Sequence, residues 1–177
     1  VVSYAATGYE VKNPETDESI GLIDVKGAGA VAPRQSDHAN GIATLGESIR
    51  EYLWEHMMRE VLDDDDLPFK TVGSYAVIDA GFDVIHSDGS HSRAGLYLRQ
   101  AHKRVYTYES EWMPDSNRWP LIARFHKYGI EPNKNVQGTL GEGIFDFGHY
   151  VVKDDLIDID ENKKIPFNVW GYDKSVL

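Results

Sequence analysis

Lys26 is the first residue whose type and place in the chain suggest chemistry. It ends an apolar segment and is followed by Gly27, Ala28 and Gly29. An ammonium beside backbone that a ligand can approach closely is suited to holding phosphate as a point charge. Glu51 borders the apolar stripe of a predicted helix, from which its carboxylate reaches back toward Lys26. The alternative is that Lys26 and Glu51 are solvated surface residues, as most lysines and glutamates are.

A second group of residues offers oxygen ligands. Asp146 begins an Asp-Phe-Gly triplet after an apolar lead-in, and Asn135 lies eleven residues earlier. Carboxylate and amide oxygens suit Mg²⁺. Protein kinases use the Asp of such a triplet to hold Mg²⁺, and a strand lysine paired with a helix glutamate to hold phosphates. A triplet also arises by chance, and the alternative for 133–135 is a simple turn.

Arg99 and Arg104, with Lys103 between them, form the densest positive patch of an acidic chain. The chain has 18 Lys and Arg against 29 Asp and Glu, a formal net charge of −11. Local cations on an anionic protein predict an anionic ligand nearby, and the alternative is a basic strand end exposed to water. The overall charge repels phosphate backbones and anionic lipid, so neither nucleic acid nor a membrane surface is expected as a partner.

Several other chemistries are excluded by what the sequence lacks. It has no cysteine, which removes disulfides, thiolate zinc sites and cysteine nucleophiles. The seven histidines show no metal-binding spacing, and no serine-hydrolase elbow occurs. No apolar run approaches the roughly 20 residues of a membrane span, and the first residues do not form a signal peptide. These features favour a cytoplasmic setting, although the start at Val1 leads us to expect missing upstream sequence.

The elements that must position these residues are strands and one long helix. Strands 1–11 and 20–27 are predicted to form a hairpin around the Asn13-Pro14 turn. Further strands are predicted at 71–80, 82–87 and 94–100, with turns at Ala80-Gly81 and Ser87-Asp88-Gly89. A helix over 44–62 begins with a capping box at Thr44 and Glu47. Its apolar stripe repeats every four residues: Leu45, Ile49, Leu53, Met57 and Val61, with Trp54 and Met58 beside it. A second helix is predicted over 119–128, with Pro120 in its first turn.

This order of elements predicts an α+β fold. Strands and helices do not alternate regularly, which disfavours a doubly wound sheet. A small antiparallel sheet with one long packed helix, followed by a smaller second lobe, fits better.

Four motifs in sequence resemble the N-lobe signature of the selenoprotein O family. They are Lys26-Gly27-Ala28-Gly29, Pro33-Arg34, the Asp-Gly segment 37–41, and Ser48-Ile49-Arg50-Glu51. The strands around 74–78 and 94–99 continue the match. The resemblance implies a protein-kinase-like bilobal fold, here an N-lobe at 1–104 and a short or incomplete C-lobe at 105–177. It also implies transfer of AMP from ATP to protein hydroxyls.

The resemblance further assigns roles to individual residues. It implies that Lys26 pairs with Glu51, that Arg99 and Arg104 are directed at the nucleotide phosphates beside Gly27 and Gly29, and that Asn135 and Asp146 bind Mg²⁺. The sequence departs from the family where Lys134 replaces an aspartate before the metal-binding Asn. It also has no His-Arg-Asp triplet, which leaves Glu131 and His126 as the nearest candidates for a catalytic base.

Three functions remain open at this stage. The first is an ATP- and Mg²⁺-dependent transferase that moves AMP to a protein hydroxyl. The second is a kinase-like phosphotransferase acting on a protein or a small molecule, which uses the same groups with the nucleotide reversed. The third is a nucleotide-binding pseudokinase that serves as an interaction module, which Lys134 favours. Lys26, Glu51 and Asp146 are the expected catalytic residues of either enzyme.

Overall fold

The computed structural model of the 177-residue chain describes residues 7–29, 41–63, 69–102, 115–132, 136–139 and 143–154. Within these residues the fold is mixed α+β, with antiparallel sheets and two helices, one of them long. The predicted α+β class is confirmed at this level. No helix in these ranges combines the length and the apolar character needed to cross a membrane.

The largest sheet has five antiparallel strands and is built around its fifth. The strands are β1 Thr7–Lys12, β2 Ser19–Lys26, β3 Ala43–Thr44, β4 Ser74–Ile85 and β5 His91–Gln100. β4 pairs with one edge of β5, while β2 and β3 follow each other along the opposite edge. β1 pairs with β2 across the predicted hairpin. The end of β2 at Lys26 therefore lies beside β3, which leads directly into the first helix.

One predicted turn is absent, because β4 runs unbroken through Ala80-Gly81. The sequence predicted two strands there, but the structure has one strand with a register shift between Asp79 and Asp83. Gly81 has φ +84°, and its N–H donates to the Asp79 side chain at 2.9 Å. Such an irregularity bends a strand without ending it. The reversal comes instead at the predicted turn around 87–89, where β4 meets β5.

The long helix α1, Leu45–Leu62, begins as predicted. The Thr44 side chain accepts a hydrogen bond from the Glu47 N–H, and the Glu47 side chain accepts one from the Thr44 N–H. This reciprocal pair satisfies two backbone donors that a helix start leaves unpaired.

The buried face of α1 is not the predicted apolar stripe. Ile49, Leu53 and Met57 are exposed, whereas Trp54 and Met58 are buried together with polar residues of the same face. Those polar residues are Ser48, Glu51 and Glu55. The prediction was wrong because it weighed only apolar burial. The sheet presents the cations of Lys26 and Arg99 to α1, and residues 71–74 present hydrogen-bond donors. These buried groups require acceptors on the facing side of the helix.

The later described elements pack along α1, from Arg50 near its start to Leu62 at its end. Helix α2, Asp115–Lys127, starts earlier than predicted, so that Pro120 lies inside it rather than in its first turn. Two short sheets pair β6 Ile130–Pro132 with β9 Tyr150–Val152, and β7 Gln137–Thr139 with β8 Gly143–Phe145. A short 3₁₀ helix, Phe147–His149, connects β8 to β9.

One hydrophobic cluster joins α1 to these later elements. Trp54 and Met58 of α1 pack with Phe125 of α2 and with Phe147 and Tyr150. The aromatic rings meet edge to face, with centroids 5.7 Å apart for Phe125 and Tyr150 and 5.2 Å apart for Phe147 and Tyr150. The core thus contains residues from both predicted segments, 1–104 and 105–177. The boundary itself, at 104, lies outside the described residues.

Glu55 is a fully buried carboxylate that ties α1 to the chain before β4. It accepts hydrogen bonds from the Thr71 hydroxyl at 2.5 Å, the Ser74 N–H at 3.2 Å and the Arg59 guanidinium at 2.8 Å. The ring of His56 also lies 3.3 Å away. Burial by itself raises the pKa of this carboxyl. The hydrogen bonds outweigh burial and hold the pKa below its ordinary value.

Glu55→Gln is expected to lower the free energy of unfolding at pH 7 by about 1–3 kcal/mol, because the amide sets an N–H against donors that the carboxylate accepts from. Folding lowers the pKa of Glu55. Its contribution is therefore full above the unfolded value of about 4.3 and is lost as the pH falls through the lower folded value. Urea unfolding of both proteins from pH 7 to pH 3 measures this, and the difference between them should shrink toward the acid end. Glu60→Gln, on the exposed side of α1, is the matched control. Equal losses of stability in Glu55→Gln and Glu60→Gln would contradict a stabilising role for the hydrogen bonds of Glu55.

Candidate functional site

The ends of several elements enclose one open cleft. Its walls are the end of β2, residues 41–43, the first two turns of α1, and the turn that carries Asp146, Gly148 and His149. The empty space between these walls is about 640 Å³, and this figure includes open solvent at the mouth of the cleft. A concave site where a few charged groups converge is a usual form of a small-molecule site.

Lys26, Glu51 and Asp146 meet at the edge of this cleft. The Lys26 ammonium lies 2.5 Å from Glu51 Oε2 and 2.8 Å from Asp146 Oδ1. The predicted Lys26–Glu51 ion pair is therefore confirmed. Asp146 joins it from a position 120 residues farther along the chain than Lys26. One cation thus holds carboxylates from the long helix and from the turn after β8.

The charges of this cluster reinforce one another. Burial by itself lowers the pKa of the Lys26 ammonium, but the negative charges of Glu51 and Asp146 outweigh burial and raise that pKa. Burial likewise raises the pKa of the Asp146 carboxyl, and the charge of Lys26 outweighs it and holds the pKa below its ordinary value. Lys26 and Asp146 are both charged at neutral pH as a result.

Arg99 lies behind this cluster and does not line the cleft. Its side chain is 1% exposed, and its guanidinium contacts Glu51 Oε1 at 3.2 Å and Asp24 Oδ2 at 2.7 Å. The guanidinium also lies over the rings of Tyr97 and Phe145, 5.6 and 5.5 Å from their centroids. These contacts favour a structural role, in which Arg99 holds Glu51 in place, over the direct phosphate contact that the resemblance implies.

Asp146 has an unusual backbone conformation for a residue other than glycine. It has φ 68° and ψ 53°, and it precedes the 3₁₀ helix without a capping side-chain hydrogen bond. The left-handed conformation costs an aspartate about 1–2 kcal/mol, so it persists only where the surroundings impose it. Phe147, the residue after Asp146, is 1% exposed and anchors the turn in the core. The strain is thus held at the point where the carboxylate enters the cleft.

The two glycines predicted to contact nucleotide have different surroundings. Gly27 has φ +91°, and a Cβ there would lie 2.8 Å from Ala43 Cβ and from the Gly95 carbonyl oxygen. Close packing of β2 against β3 and β5 therefore requires glycine at 27, whatever the cleft binds. Gly29 has φ +97°, and its N–H donates to the Gly41 carbonyl at 3.2 Å.

Two predicted site residues, Arg104 and Asn135, lie outside the described residues. Glu131 pairs with Lys153 between β6 and β9, and His126 lies on α2. Neither of these candidate bases is among the residues that line the cleft. Within the described ranges, no group of three or more His, Cys, Asp or Glu side chains could hold a metal ion by itself.

Sequence reasoning missed four residues of the site: Asp24, Ser48, Arg50 and His149. Two of them had a usable signal. Asp24 is two residues before Lys26, which places both on the same face of β2. Ser48 is three residues before Glu51, on the same face of α1. The Ser48 hydroxyl is buried, lines the cleft and has no hydrogen-bond partner among the described residues.

Comparison with known proteins found no family model, curated protein or solved structure that matches the chain. The resemblance to the selenoprotein O family stays a prediction.

Proposed function

We propose that the chain, as a kinase-like bilobal protein, binds ATP with Mg²⁺ in this cleft and transfers AMP from ATP to a protein hydroxyl. The observation that carries the proposal is the Lys26 ammonium, held at the cleft edge between the carboxylates of Glu51 and Asp146. A lysine paired with a helix glutamate and placed beside an Asp-Phe-Gly aspartate is the arrangement that kinases use for nucleotide phosphates. The choice of AMP as the transferred group rests on the sequence resemblance.

The residues present fit a magnesium nucleotide. Protein sites usually hold Mg²⁺ through one or two carboxylates together with substrate phosphates and water, so a dedicated cage is not required. Asp146 supplies a carboxylate, and the sequence predicts Asn135 as a second oxygen ligand. The buried Ser48 hydroxyl has its hydrogen-bonding capacity unused among the described residues, as expected where a ligand supplies the partner. Ile42 and Ala43 add apolar surface.

The roles of the side chains follow from their charges. Lys26 neutralises phosphate oxygens, and Glu51, itself held by Arg99, keeps the ammonium in place. Asp146 would hold the Mg²⁺, and the ion would supply positive charge beside the phosphates. The acceptor oxygen bonds to the α phosphorus, pyrophosphate leaves, and the hydroxyl proton passes to water. Catalysis then depends mainly on positioning and electrostatic stabilisation.

One observation favours a nucleotide-binding module without catalysis. Each carboxylate that lines the described part of the cleft is engaged: Glu47 caps α1, Glu51 binds Lys26 and Arg99, and Asp146 binds Lys26. A general base drawn from these three carboxylates would first have to leave its present partner, and the His149 imidazole is the other candidate in the lining. Transfer of phosphate instead of AMP uses the same groups with the nucleotide reversed.

Incubation of the chain with Mg²⁺ and ATP labelled on the α or the γ phosphate tests these alternatives, with casein as an added acceptor. We expect α label on the chain or on casein, and no γ label. Asp146→Asn is the inactive control, and nucleotide binding is measured in parallel by calorimetry. Transfer of γ label would identify a kinase. Binding without transfer would favour the interaction module, and the absence of both would overturn the proposal.

A further inference from the structure

Arg50 connects α1 to the turn that follows Asp146. Its Nε donates to the Gly148 carbonyl at 3.0 Å, and its Nη2 donates to the Tyr150 carbonyl at 2.7 Å. The planar guanidinium has several donors in a fixed fork, so one side chain binds both carbonyls at once. Arg50 also lines the cleft.

The turn needs such an external partner. Asp146 is in a left-handed conformation, and the 3₁₀ helix after it has only three residues, too few to stabilise itself. The carbonyls at the end of a short helix have no partner within the helix. The Lys153 N–H donates to the Gly129 carbonyl, so Tyr150, opposite Pro132 in the β6–β9 pair, is at a non-hydrogen-bonded position. Its carbonyl therefore points away from β6 and needs a donor from elsewhere. Arg50 supplies the donors.

The same turn of α1 holds Asp146 by two routes. Glu51 binds Lys26, and Lys26 binds the Asp146 carboxylate. Arg50, the residue before Glu51, binds the backbone just after Asp146. These contacts form a closed ring, and a Cβ at Gly148 would lie only 4.0 Å from Glu51 Oε2. A shift of α1 therefore displaces the side-chain and the backbone support of Asp146 together.

We propose that Arg50 is a positioning residue, which ties the turn after Asp146 to α1 and so sets the place of the Asp146 carboxylate in the cleft. The consequence for Mg²⁺ rests on the proposed function. The claim that Arg50 ties the turn to α1 does not depend on that function, because it concerns only contacts within the chain. Arg50 acts through Asp146 and makes no contact of its own with the metal.

The experiment compares Arg50→Ala and Arg50→Lys with Arg93→Ala, whose side chain pairs with Asp79 on the exposed hairpin. Hydrogen exchange measured by mass spectrometry should show about tenfold faster exchange at residues 147–150 in Arg50→Ala, and an unchanged β4–β5 hairpin. Arg50→Lys keeps one donor group and should fall between wild type and Arg50→Ala. Since lysine preserves the charge, this variant also serves if Arg50→Ala does not fold.

Calorimetry with ATP supplies a readout that a merely structural residue would not move. Arg50→Ala should weaken binding of ATP with Mg²⁺ about tenfold in the wild-type background and add nothing in an Asp146→Asn background. Unchanged exchange at 147–150 overturns the proposal. So does faster exchange with unaltered Mg²⁺-dependent binding. If wild type binds no nucleotide, the proposed function fails, and the exchange result alone decides whether Arg50 holds the turn.

Discussion

Asp146→Asn is expected to abolish Mg²⁺-dependent nucleotide binding and all label transfer while the protein stays folded. Loss of even an outer-shell partner typically costs a metal site about 10- to 100-fold in affinity, so loss of a direct carboxylate ligand should exceed that range. Asn is the appropriate replacement for two reasons. It tolerates the left-handed backbone that residue 146 adopts, and its amide oxygen still accepts from Lys26.

Calorimetric titration with ATP, in Mg²⁺ and in EDTA, measures the effect. The variant should bind equally in both conditions, whereas wild type should bind more tightly in Mg²⁺. Asp154→Asn, an exposed aspartate farther along the same segment, is the matched control and should behave as wild type. A variant that keeps its Mg²⁺ dependence would remove Asp146 from the metal site. Thermal unfolding of each protein verifies that the fold is retained.

Arg99→Met is expected to destabilise the fold by about 3–5 kcal/mol, the usual cost of breaking a buried ion pair by removing one partner. The Arg99 guanidinium bridges Asp24 and Glu51, and all three side chains are buried. Methionine fills similar space but leaves both carboxylates without this cation. Burial by itself lowers the pKa of Arg99, and the charges of Glu51 and Asp24 outweigh burial and raise it. The cation is therefore integral to the folded state.

Urea denaturation of Arg99→Met and Arg93→Met separates the buried pair from an exposed one. Arg93 pairs with Asp79 on the surface at 2.8 Å, and its loss should cost less than about 1 kcal/mol. Adding Asp24→Asn to Arg99→Met should restore part of the lost stability, because one uncompensated charge is then gone. Equal losses at 93 and 99 would show that Arg99 contributes shape alone.

Features that depend on neighbouring residues could be predicted from the sequence. The capping box at Thr44 and Glu47 was predicted and is present, because its partners are three residues apart. The hairpin turn near 87–89 follows from its local Ser-Asp-Gly chemistry. The Lys26–Glu51 pair joins residues 25 apart, and it was predicted by comparison with the strand-lysine and helix-glutamate pair of kinases.

The buried face of α1 and the depth of Arg99 could not be predicted in this way. Counting apolar residues placed Ile49, Leu53 and Met57 inside, yet they are exposed. Which face of a helix is buried depends on what the facing elements present, and those elements are distant in sequence. Likewise, the position of Arg99 at a strand end predicted a phosphate ligand, because its two carboxylate partners, Asp24 and Glu51, are not evident from the sequence.

Residue patterns along the chain thus predicted the α+β class and the bounds of the long helix to within a residue, and the kinase comparison added the Lys26–Glu51 pair. The contact of Asp146 with Lys26, and the hydrogen bonds from Arg50 to the turn after Asp146, became evident from the folded chain. The reason is physical. Local patterns record interactions between residues near in sequence, whereas a buried charge is stable only beside partners that the fold brings together from distant segments.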